Sequence, residues 1–303
     1  MLAACALFVG APVLLNYVID PYDRFGNNRM GVYISAEREA KPTEVARYPH
    51  DALLVGNSRI AMIPASRLNG FRFFNAAFAG ATAEEVYWFI HHHAHAQKLV
   101  VLGIDPGMHD PAPLKGDVFQ GGDWSSILDN LVSLETLEYS FKTMTSHWAG
   151  TRNHLQPDGT FEIQDYVKRA DREDPALAQA QTEILKRQFG SFAPPLPSQM
   201  SFYRKISETL RERGIACVVV VPPMHESVMR HIEAKNLQGA YRAWLEEVKA
   251  LFPNVVELSS SSYSSAASFY KSDPAHFRQD VGVRFMNEQV VPVALKALQE
   301  RAR

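Results

Sequence analysis

Two short apolar runs decide most of what this chain can become. Leu99-Val-Val-Leu-Gly-Ile104 and Ile215-Ala-Cys-Val-Val-Val-Val221 are unbroken by any charged residue and rich in β-branched side chains. A strand with one wet face alternates apolar and polar residues, whereas a strand covered on both faces reads as a continuous apolar run. Both runs end at turn-forming residues, Asp105-Pro106-Gly107 and Pro222-Pro223. Ala52-Leu-Leu-Val55, Phe71 to Ala77 and Asn254 to Leu258 extend the same pattern, and helical spacings fall between them. Strands alternating with helices predict a parallel sheet wrapped by helices on both faces.

The intervening helices carry their own signals. Thr82 with Glu85 three positions on is a capping-box spacing, and it opens a helix through Val86, Phe89 and Ile90 that runs into His91-His-His-Ala-His95. A stripe of Phe202, Ile206 and Leu210 predicts a helix over 198–213 closed by Gly214, and Leu237, Tyr241, Trp244, Leu245 and Val248 predict another over 236–251. The last helix is expected over 280–303, broken near Pro292. With 303 residues, the chain reads as one large domain over 51–303 that carries an insertion at 106–197. Within that insertion we expect one helix from Ser125 to about His147, a turn at Gln156-Pro-Asp-Gly159, and a more polar helix from Pro175 to Phe189.

The N-terminus differs from the rest. Residues 1–19 are apolar apart from Asn16, and 20–50 are mixed, with Arg, Asn, Pro and Tyr but no sustained period. We read 1–19 as a signal anchor or signal-like segment and 20–50 as a linker, which would put the domain in the periplasm or outside the cell. The alternative is a packed helix, even though the downstream pattern offers it no obvious partner.

In open parallel sheets, ligands bind outside the carboxyl ends of the strands. Those ends here deliver Gly56-Asn57-Ser58-Arg59, Asn75 to Gly80, Asp105, His225 and the loop holding Asp273-Pro-Ala-His276. A serine is a poor nucleophile until a neutral imidazole takes its proton, and the imidazole needs a carboxylate to fix its tautomer. Ser58, His276 and Asp273 supply those parts, and the Asp-x-x-His spacing allows both side chains to come from one loop or helix turn. A serine opening a helix is more ordinarily an N-cap. The distant Asp-x-x-His is what favours a nucleophile. The backbone amides of Ser58 and Gly80 are candidates for the oxyanion, and glycine at 80 permits a close approach.

These blocks resemble the SGNH or GDSL-like hydrolase superfamily over most of residues 50–300, with Ser268 to Phe277 the most specific part. The N-terminal apolar segment, Gly-Asn-Ser-Arg and the helical insertion look like membrane-anchored bacterial envelope members that O-acetylate alginate and other exopolysaccharides. The resemblance implies an α/β flavodoxin-like three-layer sandwich. It also implies an acyl-serine enzyme, an O-acetyltransferase or acetylesterase, acting on an acetylated polysaccharide with a membrane partner as acetyl donor. By matching position, Ser58, His276 and Asp273 take the triad roles. The family's third block offers Gly-x-Asn, whose amide completes the oxyanion hole, but this chain has Gly103-Ile-Asp105. An ionised Asp105 would repel an oxyanion, so it must be protonated, turned away, or replaced by another donor such as Asn57, Asn75 or Arg59. The alternative reading is a catalytically degenerate member of the fold that binds glycan or assists exopolysaccharide assembly.

Other candidates weigh less. Arg59 and His225 could contact substrate, or could pair within the protein. The His91–His95 cluster lacks a third ligand at a metal-site spacing, so no metal or cofactor is expected. Tyr139, Trp124, His147 and Trp148 could form a sugar-stacking platform or be core. A net charge of -2 gives no reason to expect nucleic acid, and two cysteines, Cys5 and Cys217, exclude a disulfide framework.

Overall fold

The computed structural model describes residues 2–32, 37–109, 114–119, 124–150, 153–190 and 197–301, although the side chains of 2–9, 107, 109, 124–127, 153–154, 162–163, 186–190 and 197 lie outside that description. Strands β1 (Ala52–Val55), β2 (Phe73–Asn75), β3 (Leu99–Gly103), β6 (Ala216–Val221) and β7 (Val255–Glu257) form a five-stranded sheet in the order β2-β1-β3-β6-β7. All four pairings are parallel. This is the doubly wound order in which the chain reverses direction next to β1, leaving a crevice at the carboxyl ends of β1 and β3. Antiparallel pairs β4 (Asn153–Leu155) with β5 (Phe161–Ile163), and β8 (Phe269–Tyr270) with β9 (Asp273–Phe277), stand outside the sheet.

The continuous apolar runs are explained by two cores. Leu53, Val55, Val100, Leu102, Val219 and Val221 face one side, where Phe89, Tyr203, Ile206 and Trp244 from three helices cover them. Ala52, Leu54, Leu99, Val101, Val218 and Val220 face the other, against Ile60, Phe277, Phe285 and Ala294. Successive side chains of a strand point to opposite faces, so β1, β3 and β6, covered on both, carry no polar residue, whereas edge strand β7 is partly open and ends in exposed Glu257. The result is three layers, with the sheet between helices.

Several local expectations need correction. The helix expected over 125–147 is two, Trp124–Val132 and Leu134–Trp148, because Ser133 Oγ accepts from the amides of Glu135 and Thr136 and starts a new helix. The turn expected at 156–159 is present and forms the tip of the β4–β5 hairpin, whose strands are too short to show a period and are not among the expected elements. A helix Glu226–Ala234 precedes Gln238–Leu251. The terminal helix breaks just before Pro292, where Met286–Val290 winds as a π-turn between Gln279–Phe285 and Val291–Arg301.

The stretch expected to be a linker contains the helix Glu37–Arg47. That helix is tied to Ala83–His93 by Arg38, whose Nε and Nη2 donate to the Glu85 carboxylate at 2.8 and 3.1 Å. Its Lys41 is fully buried, and the Nζ donates to Ala77 O on the loop after β2. Residues Leu2–Ile19 form a helix that packs on Trp124–Val132 and Leu134–Trp148 of the insertion. Among the described residues, no helix is long and apolar enough to cross a membrane.

The insertion also closes the sheet. Asn75 N–H on β2, an edge strand, donates to Asp158 O at 2.7 Å. Gly159, at φ +76°, lies so close to Phe74 and Asn75 O that a Cβ there would overlap both. The hairpin tip thus covers an edge that would otherwise offer unpaired amides.

Candidate active site

The Ser58 turn is built by the residues around it. Gly56 has φ +150°, and a Cβ would meet Gly103 O at 2.9 Å, so only glycine lets β1 turn this sharply against the end of β3. Asn57, not Ser58, caps the helix Ser58–Ala61: its Oδ1 accepts from Arg59 N–H at 3.1 Å. Ser58 is therefore the first helical residue. Its hydroxyl is free for other work, and its amide is among the first-turn donors that have no partner within the helix.

Ser58 Oγ lies 2.9 Å from His276 Nε2, and His276 Nδ1 lies 2.7 Å from Asp273 Oδ2. The carboxylate accepts from Nδ1–H, which leaves Nε2 to accept the serine proton. Asp273 is completely buried, whereas Ser58 and His276 are partly open to solvent. The acid and the imidazole come from β9, not from a helix turn. Asp273 Oδ1 accepts from Ala275 N–H at 3.0 Å, a short local turn that brings residue 276 back over the carboxylate.

A fourth group joins them from the insertion. Tyr166 OH donates to Asp273 Oδ2 at 2.6 Å, and its ring stands edge-on to His276 at 6.3 Å. Burial pushes the Asp273 carboxyl up, but the hydrogen bond and charge of His276, with donation from Tyr166 and Ala275, outweigh it and hold the group below its ordinary value. Burial and the neighbouring Asp273 charge push the Tyr166 phenol well above its ordinary range, so it remains a donor. The same segment is fastened to the β8–β9 hairpin elsewhere: Ser272 N–H donates to Ala170 O, and Asp174 N–H to Ser272 Oγ. No period or motif marks Tyr166, which lies 107 residues before Asp273.

The other expected site residues divide. Asn75 is fully buried, and its Nδ2 donates to the carbonyls of Ile60, Ala61 and Ile63, so it holds the Ser58 helix from below. The Arg59 guanidinium is buried; Nε donates to Ala275 O at 3.1 Å, Nη2 to Pro223 O at 2.6 Å, and Nη1 lies 3.8 Å from Asp105 Oδ2. It joins the ends of three rim segments. Asp105 is buried and accepts from Asn57 Nδ2 at 2.6 Å. Its carboxyl thus lies between an amide and a guanidinium.

His225 caps the helix Glu226–Ala234, its Nδ1 accepting from Ser227 N–H, and its ring packs edge-on against Phe269. Burial pushes its pKa down. Gly80, at φ +62° with nothing near a would-be Cβ, ends the loop on which Phe78 N–H donates to Gly56 O and Lys41 Nζ to Ala77 O. His92 pairs with Asp117 at 2.6 Å. Of the four residues considered for a sugar platform, Trp148 is exposed, Tyr139 packs on Tyr22, and the Trp124 side chain lies outside the described residues.

This arrangement can deprotonate a serine, stabilise the imidazolium that results, and keep both groups reachable from solvent. No family model matches the chain, and no curated protein matches it.

Proposed function

We propose that this chain is a serine acyl-transfer enzyme of the SGNH or GDSL-like type. Its substrate would be O-acetyl groups of a polysaccharide, with the protein held at a bacterial envelope membrane by its N-terminal helix and its domain outside the cytoplasm. The single observation that carries the reading is the Ser58–His276–Asp273 chain, at 2.9 and 2.7 Å, with the serine partly open to solvent.

The chemistry follows from those atoms. Ser58 Oγ attacks the ester carbonyl carbon as its proton passes to His276 Nε2, and Asp273 stabilises the imidazolium. The oxyanion is received by the amides of Ser58 and Gly80. Collapse breaks the bond to the leaving oxygen, which takes the proton from His276, and the acyl group stays on Ser58. Water or a sugar hydroxyl then gives its proton to His276 and attacks the acyl-serine. Water makes the enzyme an esterase, whereas a sugar acceptor makes it a transferase supplied by a membrane acetyl-donor partner. No metal or cofactor is needed for either half-reaction.

One observation favours a second reading, a degenerate member of the fold that binds glycan. Asp105 stands where the family has an oxyanion asparagine, and the Asn75 amide is spent on backbone carbonyls. Purified protein with a chromogenic acetyl ester separates the two. The enzyme reading expects turnover that Ser58→Ala removes; equal turnover by that variant would sink it.

A further inference from the structure

The helix Leu134–Trp148 buries hydroxyls and leaves large apolar side chains, interspersed with charged ones, in the open. Its buried face is Thr136, Ser140 and Thr143, at 4%, 0% and 1% exposure, while Leu134, Phe141 and Trp148 stand out at 80%, 51% and 74%. In water an amphipathic helix does the reverse. In lipid the apolar side chains are already solvated, and helices meet through small and hydroxyl residues that bond across the interface. That is the contact made here. Ser140 Oγ donates to Asn16 Oδ1 at 3.0 Å, and buried Asn16 donates from Nδ2 to Leu131 O at 2.9 Å.

The face continues onto the neighbouring helices. Leu14 and Val18 on Leu2–Ile19 are 62% and 54% exposed, and Leu128 and Val132 on Trp124–Val132 are 58% and 60%. Of eleven large apolar side chains exposed among the described residues, eight belong to these three helices, so the exposure is concentrated in one unit. Tyr22 packs on Tyr139, and Asn16 bonds Ser140. Leu134–Trp148 therefore packs by its middle on the C-terminal end of Leu2–Ile19 and the residues just after that helix. At 15 residues it is ~22 Å long, short of the ~30 Å hydrocarbon core. Glu138 within the apolar stripe is paired with Lys142 at 2.6 Å, while Asp129 and Glu135 stay exposed at its margin.

We infer that the helical pair 124–148 is a second membrane contact. It lies in the interfacial layer of a bilayer beside the N-terminal helix, with Phe141 and Trp148 among the acyl chains and its acidic residues at headgroup depth. An aromatic at that boundary suits its ring and indole N–H. The occupant is lipid and not an acidic or basic protein surface, because the stripe's one ion pair is internally balanced. With acidic residues at its margin, the contact calls for zwitterionic lipid.

The inference rests on the membrane attachment proposed above, but the two are read at different residues. The full chain, with Cys5→Ser and Cys217→Ser, receives one cysteine at Leu14, Phe141, Trp148 or, as a distant exposed control, Lys249, each carrying an environment-sensitive fluorophore. The labelled proteins are reconstituted with phosphatidylcholine vesicles, with and without spin-labelled acyl chains. The expected result is a blue shift at 141 and 148, loss of most of that emission with spin-labelled lipid, and no change at 249. Quenching at 14 with water-like emission at 141 and 148 would overturn the inference and leave the attachment standing. Water-like emission at all three sites would overturn both. A blue shift at 141 and 148 without vesicles, fading on dilution, would make a second copy of the chain the occupant and would also overturn it.

Discussion

Two buried aspartates flank the Ser58 turn, and they are treated in opposite ways. Asp273 is surrounded by donors that carry no permanent charge: the Tyr166 phenol, the Ala275 amide and His276 Nδ1. The opposite charge in direct contact with it appears when His276 takes a proton, while the Arg59 cation acts on it from farther off. Asp105 has a standing cation, Arg59, at 3.8 Å, and an amide from Asn57. Its charge is answered in the resting state. One carboxylate is therefore poised to respond to chemistry, while the other braces the rim, although both sit within a few residues of a strand end.

Substitutions on the two sides should separate these roles. The largest effect is expected at Asp273→Asn, which keeps the shape but leaves His276 in the wrong tautomer. Turnover of an acetyl ester should fall by about 10⁴-fold with little change in thermal stability. A large melting-temperature loss with modest kinetic change would reverse the roles assigned to the two acids. Arg59→Leu should do the opposite, costing about 3 kcal/mol of unfolding free energy because buried Asp105 loses its neighbouring cation and the carbonyls of Ala275 and Pro223 lose a donor. Adding Asp105→Leu should recover much of that loss; denaturant melts of the single and double variants would show whether the pair is coupled.

Tyr166→Phe removes one donor from Asp273 and the acceptor of a long bond from Gln181 Nε2, so it should cost about tenfold in turnover, the equivalent of about 1.4 kcal/mol. The acid limb of its pH–rate profile, set by the neutral His276 that must take the serine proton, should move to higher pH, because an Asp273 carboxylate with one donor fewer stabilises the imidazolium more strongly. An unchanged limb would make Tyr166 a packing residue only.

The smallest expected effect concerns Lys41, a buried cation whose Nζ donates to a carbonyl, not to a carboxylate. Burial, only partly offset by Glu37 and Asp158, pushes its pKa down to about 8. As pH rises above that value the native state sheds the proton before the unfolded chain does. The unfolded state then binds more protons, and stability rises with pH. Between about pH 7 and 9 the gain should be of the order of 1 kcal/mol, and Lys41→Met should abolish it. Equal slopes for the two proteins would show that the ammonium is not desolvated.

How far the sequence reaches depends on what kind of physics sets each feature. The sheet was readable because strands buried on both faces must be apolar throughout, and Leu99 to Ile104 and Ile215 to Val221 can do little else. The capping box at Thr82 was readable because its two hydrogen bonds are local. The Ser58 and Asp273-x-x-His276 blocks stood out because few chemistries need those groups at strand ends. Tyr166, Lys41 and the bracing role of Arg59 left no such trace. Each depends on a tertiary contact between segments whose separation carries no period, and Lys41 sits in a helix that reads as polar from end to end. The break at Ser133 was hidden differently, since apolar spacing continued across it while one hydroxyl restarted the helix.

If Ser58 is an activated nucleophile, it will be captured covalently. Purified protein is incubated with a fluorophosphonate, and the adduct is located by intact mass and peptide mapping. The account predicts one adduct, on Ser58, formed quickly by the native chain, slowly by His276→Ala and not at all by Ser58→Ala. Failure of the native protein to label, or equal labelling of Ser58→Ala, would contradict it.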